Sequence, residues 1–259
     1  MDAYVFDGTF PGLLTAVFES YERQSLDVIL YSVDDYQPLL LGDTVTVTTV
    51  EEKARRVWNG LAKRLEREWM ARLYAAFLAE QPSGYQHVFS LVRLVFDHGG
   101  ALVGDYRNPH VLGVSQLDRK VHREKHRMEA FVRFQQLVDG LYYATVDPDF
   151  NVLPLIARHF QNRYADQRWV IYDVKRRYGM YYDGDQVDEV TFSETPTGQG
   201  SAPQADPLTA SELLYQQLWR AYFDHAGIPS RKNTKLHIQH VPKRYWKYLT
   251  EKQPVPFQR

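Results

Sequence analysis

From Glu51 the apolar residues Ala54, Val57, Trp58, Leu61, Leu65, Trp69, Leu73 and Phe77 recur at intervals of three and four, the period of a helix with one buried face. From Phe131 to Phe192 they come instead in short runs split by turn residues. A chain that collects its helical periods in one stretch and its strand-like runs in others reads as α+β with antiparallel pairing, and alternating βαβ units are not expected.

The opening reads as βα, with a strand at Tyr4–Phe6 and a helix capped by Thr9 that carries Pro11 in its first turn. Leu26–Tyr31 and Thr44–Val50 have the β-branched, alternating character of strands. The long helical stretch ends at Pro82–Gly84, a second helix near Tyr85–Phe96 stops at Gly99–Gly100, and a third spans about Pro109–Met128 with Val111, Val114, Leu117 and Val121 on its buried stripe. Phe131–Leu137 and Leu141–Val146 flank Asp139–Gly140, the dipeptide that tight hairpin turns prefer. Asn151 is placed to cap the next helix. Trp169–Val174, Tyr178–Asp183 and Val187–Phe192 follow as strands, then a Gly- and Pro-rich loop at Thr195–Pro207, an amphipathic helix at Ser211–Ala226 and an irregular basic arm. The expectation is one α+β domain over 1–259, or two tightly packed subdomains, 1–114 with the βα and helical part and 115–259 with the β-rich part, C-terminal helix and arm.

Composition narrows the chemistry more than the partner. The chain has no cysteine, which excludes a disulfide scaffold, a thiol nucleophile and any cluster held by its own thiolates. The cytoplasm is the expected compartment, and no apolar run is long enough to span a membrane. GxxxxGK[ST], GxGxxG after a strand, GxSxG and HExxH are all missing, which removes the common routes to nucleotide hydrolysis and acyl transfer. The 31 Lys+Arg and 32 Asp+Glu balance, yet they are segregated along the chain. Residues 1–50 carry net −7, residues 180–212 net −7 and residues 213–259 net +7. Because exposed charges act within about 8 Å at physiological salt, local segments can present a polyanion surface in a neutral chain. Acidic segments folding against basic ones would cancel that surface.

Three segments concentrate basic and aromatic residues. The first is VHREKHRMEAFVRF, with Arg123, Arg127 and Arg133 beside Phe131 and Phe134. Bases there can neutralise phosphates and exposed aromatics can stack on unpaired bases, unless the aromatics are core. Its His122 and His126 are four apart on a helix, but Glu124 lies about 200° round from His122, so metalloprotease geometry fails and no metal is expected. The second segment gathers His159, Arg163, Trp169, Asp173, Lys175, Arg176 and Arg177, with the three bases at a hairpin tip that can reach a nucleic-acid backbone. Asp173 pairing with a neighbouring Arg in a structural network is the alternative. The third is the arm, with Arg231, Lys232, Lys235, Lys243, Arg244 and Lys247 and interleaved Tyr245, Trp246 and Tyr248. Such interleaving suits nucleic acid, while Trp246 is expected to anchor the arm in the core.

DGTFPGLLTAVFESY, VHREKHRMEAFVRF, NVLPLIARHFQNRYADQRWVIYDVKRRYGMYYD and VPKRYWKYL together resemble, over roughly 2–252, an uncharacterised bacterial family assigned to DNA metabolism. The resemblance implies a context of DNA repair or modification beside a radical-SAM partner encoded alongside. Some related chains are fused to a uracil-DNA-glycosylase-like domain, which this chain is expected to lack, so glycosylase activity is not carried over. The positions it carries over are Glu124, His126, Arg127, Phe131, Arg133, Phe134, Asn151, His159, Phe160, Arg163, Trp169, Asp173, Arg176, Pro242, Arg244, Tyr245 and Trp246.

Three readings stand side by side at this level. The first is a DNA-binding accessory protein without a cofactor of its own, gripping single- or double-stranded DNA through Arg123, Arg127, Arg133, Arg163, Lys175, Arg176, Arg177, Arg231, Lys232, Lys243, Arg244, Tyr245 and Lys247. The second is a DNA-processing enzyme using Glu124 or Asp173 with His126 or His159 as acid and base. The third is a scaffold whose basic segments dock an acidic protein.

Overall fold

The computed structural model describes residues 2–37, 43–191, 209–226 and 234–253. They form two compact units, Met1–Arg123 and Glu124–Arg259. The mixture of helices and sheets is α+β, but the sheets are not uniformly antiparallel.

In the first unit, β1 (Asp2–Phe6) lies between β2 (Val28–Ser32) and β3 (Thr44–Thr46), and both pairings are parallel. Helix α1 (Phe10–Glu22) makes the crossover from β1 to β2, with the Thr9 hydroxyl accepting from the Gly12 amide at 3.0 Å. The sequence carries a sign of this. Ala3, Tyr4, Val5 and Phe6 are apolar without alternation, which is how a strand covered on both faces reads, and all four are buried. Three further α-helices and a 3-10 turn, Gly100–Gly104, precede α5: α2 (Glu51–Ala62), α3 (Arg67–Phe77) and α4 (Pro82–His98). The stretch that reads as one helix from Glu51 to Phe77 is therefore two. The break at 63–66 receives Gly100, where a Cβ would overlap the Arg64 carbonyl oxygen. Phe10 sits in an aromatic cluster with Trp58, Tyr74 and Phe77 at centroid distances of 5.3, 5.2 and 5.0 Å.

Helix α5 (Pro109–Phe131) begins at Asn108, whose side-chain oxygen accepts from the His110 amide at 2.9 Å. It runs three residues beyond the expected end, so of the expected strand Phe131–Leu137 only Gln135–Gln136 form a ladder, as β4, with Leu137 in a single bridge. The second unit's sheet has the order β4-β5-β6-β7-β8, with β5 (Tyr142–Val146), β6 (Trp169–Asp173), β7 (Tyr178–Tyr182) and β8 (Val187–Thr191). The Asp139–Gly140 hairpin forms as expected, with Gly140 at φ +83. β5 and β6, however, are parallel, joined over α6 (Leu153–Arg163), which corrects the expectation of antiparallel pairing throughout. A crossover needs about a dozen residues, which Asp147–Arg168 supplies. Asn151 is not the cap of α6; its side-chain oxygen accepts from the Tyr178 hydroxyl, and the cap position is Val152. Phe134, Phe160, Trp169 and Tyr182 pack together in the core, so Phe134 is not exposed for stacking. Beyond β8 come α7 (Ala210–Ala226), α8 (Thr234–His240) and a 3-10 segment, Lys243–Tyr248, in place of the expected irregular arm. The expected loop at Thr195–Pro207 lies outside the described residues.

Candidate functional site

The site is built on the end of α5. Val114, Leu117, Val121 and Met128 define its buried stripe, and Glu124 continues the same three-four spacing. The carboxylate is consequently 1% exposed. A buried charge must be compensated by hydrogen-bond donors or opposite charge, and Glu124 has four donors. Its Oε1 accepts from the Asp149 amide at 2.9 Å and from the Tyr245 hydroxyl. Its Oε2 accepts from Arg244 Nη2 at 3.2 Å and Arg127 Nη1 at 3.4 Å. Tyr245 is 2% exposed, and its hydroxyl also accepts from Arg244, whose guanidinium lies 4.6 Å over its ring. Burial, then the bond to Glu124, pushes the Tyr245 phenol well above its ordinary range. The roles expected in the arm are reversed here, because Tyr245 is the buried anchor and Trp246 is half-buried.

Above this carboxylate, the loop Asp147–Pro148–Asp149 leaves the end of β5. It is held from the β6–β7 hairpin by Arg176, which donates to the Pro148 carbonyl at 3.1 Å and the Asp149 carbonyl at 3.2 Å. Asp173, fully buried, fixes that hairpin by accepting from the Lys175 amide at 2.9 Å, the Arg176 amide at 3.1 Å and the Arg176 guanidinium at 2.8 Å. Burial raises its carboxyl above the ordinary value, and the Arg176 contacts offset only part of that. Asp173 and Arg176 thus form the structural network that was the alternative reading.

Between the loop, the hairpin and the 3-10 segment opens a cleft of about 570 Å³, lined by Asp147, Pro148, Asp149, Lys175, Lys243, Arg244 and Lys247. Four cations face two carboxylates there. Lys247 Nζ lies 2.7 Å from Asp147 Oδ2, and Arg244 Nη2 lies 2.7 Å from Asp149 Oδ2. The Asp147 contact raises the Lys247 ammonium above its usual range. Burial alone would lower Arg244, but Tyr245, Glu124 and Asp149 reverse the sign. Lys175 reaches the Asp149 carbonyl at 3.4 Å, and Lys243 lies 6.0 Å over the Trp246 ring.

The other expected contacts scatter. Arg133 is 2.9 Å from Glu251, Arg163 is exposed beside the Tyr164 ring, and Arg123 and Arg177 are exposed on α5 and at the hairpin tip. His126 and His159 approach Glu129, at 3.9 and 4.0 Å, and neither joins Glu124 or Asp173. Arg231 and Lys232 lie outside the described residues. Asp147, Asp149 and Glu251 do not stand out in the sequence patterns. The acid-Pro-acid triplet directly after a strand is the available signal for the first two.

No curated protein matches the chain. The family model described as a domain of unknown function, DUF4130, matches residues 82–251, a span that holds the cleft and every residue of the Glu124 network. The chain therefore belongs to the DUF4130 family, whose function is uncharacterised.

Proposed function

We propose that this protein is a DNA-binding accessory factor of a repair or modification system, and that the cleft beside Arg244 is where it grips the nucleic-acid backbone. The observation that carries the reading is the lining itself, where Lys175 from one basic segment and Lys243, Arg244 and Lys247 from another converge on one opening. Lys and Arg directed at a common cleft are what phosphate recognition needs, and none of these side chains reads sequence by itself. The binding is therefore salt-sensitive and tolerant of sequence. A radical-SAM protein is the partner the resemblance implies; since this chain has no cysteine, a thiolate-held cluster would belong to that partner. Grip is favoured over acid-base catalysis by the occupancy of the candidate groups. Glu124 and Asp173 each have both carboxylate oxygens engaged by donors of the chain itself.

The test is titration of labelled single- and double-stranded oligonucleotides at two salt concentrations, with wild type and a Lys175→Gln/Lys243→Gln/Lys247→Gln variant. Arg244 is left alone because it also neutralises a buried carboxylate. The triple variant is expected to bind at least tenfold more weakly and to reduce the salt slope by up to about three units, one for each phosphate no longer neutralised. Wild type that binds neither oligonucleotide at low salt would remove the proposal.

A further inference from the structure

Two of the four cations in the cleft already hold an anion, and both anions come from one tripeptide. Asp147 is paired with Lys247 and Asp149 with Arg244, each at 2.7 Å. These four side chains are 35, 58, 50 and 43% exposed respectively, so water and ions reach both pairs. Pro148 between the two aspartates is buried, and its carbonyl is held by Arg176, so the carboxylates are presented from a fixed backbone. The Asp149 amide is fixed as well, through Glu124.

We propose that Asp147 and Asp149 are intramolecular competitors for the ligand, occupying the positions that successive anionic groups of a nucleic-acid backbone take when bound. The inference rests on the nucleic-acid reading of the cleft and names its regulation. Exposed ion pairs of this kind are weak, so an incoming phosphate displaces them easily. Displacement leaves Arg244 in place, because Glu124 and Tyr245 still hold it from below. Lys247, whose ammonium rests on Asp147 and 4.8 Å over the Tyr248 ring, has among the described residues no second carboxylate to play that part and follows the ligand. The aspartates therefore keep affinity low and reversible, as suits a protein that hands DNA on. They also act against ligands that cannot supply two anionic groups, because such a ligand would displace one carboxylate and still face the other.

The experiment compares the full-length wild type with Asp147→Asn, with Asp147→Asn/Asp149→Asn, and with an Asp188→Asn/Glu189→Gln control that makes the same charge change on exposed residues of β8 away from the cleft lining. Each is titrated with a fluorescein-labelled 20-nucleotide single strand and its duplex at two salt concentrations. The double cleft variant is expected to bind about three- to tenfold tighter than wild type with a steeper salt slope, Asp147→Asn to fall between, and the control to move less than twofold. A double variant that binds like wild type or more weakly, while wild type binds, overturns the competitor role and leaves the DNA-binding reading standing. An equal gain in the control overturns it too, since the effect would then be bulk charge. Wild type that binds neither oligonucleotide removes the DNA-binding reading and the competitor role with it, whatever the double variant does.

Discussion

Glu124 shows what a single residue decides when it is charged and buried. Removing it would leave the Tyr245 hydroxyl, the Asp149 amide and part of two guanidinium groups without their acceptor in a desolvated place. Glu124→Ala is therefore expected to cost about 3–5 kcal/mol in a urea melt, the range for breaking a buried pair from one side. Tyr245→Phe, which removes one donor and keeps the ring, is expected to cost about 1–3 kcal/mol. An Ala variant as stable as wild type would contradict the burial of this carboxylate. The residue is visible in the sequence as an acid-base candidate, and its buried setting is not. Its angle to His122 argues against a metal, whereas its place on the stripe of Val121 and Met128 is the more informative fact. Its partners are not legible there, because Tyr245 lies 121 positions away.

At the scale of elements, most of the helices and the Asp139–Gly140 hairpin are legible because period and turn chemistry are local, while the α2–α3 break and α8 are not. The parallel pairing of β5 with β6 is not legible either, since partner choice depends on how the crossover helix packs, and that of β1 with β2 shows only in the unbroken apolar run Ala3–Phe6. The Gly99–Gly100 stop is plain in the sequence, yet its second purpose needs the structure. Gly99 ends α4 at φ +88, while Gly100 lets the chain pass close to the carbonyl of Arg64 at the α2–α3 break. Gly100→Ala places a methyl against backbone that cannot rotate away, and about 1–3 kcal/mol of destabilisation is expected, as for other overpacked sites. Thermal unfolding of that variant checks it. A melting temperature equal to wild type would mean that the break between α2 and α3 yields freely.

At the scale of the whole molecule, the described ion pairs of the basic C-terminal segment are made with carboxylates outside the acidic segments 1–50 and 180–212. The basic C-terminal segment meets Glu124, Asp147 and Asp149, and Glu251 near its end meets Arg133. Segment totals do not show that Arg133 is taken by a carboxylate 118 positions on. Burial alone would raise the Glu251 carboxyl, but donation from Arg133 and the Trp219 indole holds it below its ordinary range. A carboxylate lowered in the folded state stabilises above its unfolded value, near pH 4.3, and loses that contribution as the pH falls through the folded value. Glu251→Gln should therefore flatten the loss of stability below about pH 4.3 in urea melts taken across the acid range. A variant with the wild-type acid profile would show that this pair is not felt in folding. The 121-residue separation of Glu124 from Tyr245 also has a meaning in time. During synthesis at about 5–20 residues per second, the carboxylate waits on the order of ten seconds before its phenol and guanidinium leave the ribosome. Until then a charge destined for burial is open to water, so the second unit closes its core only when nearly all of its chain has emerged.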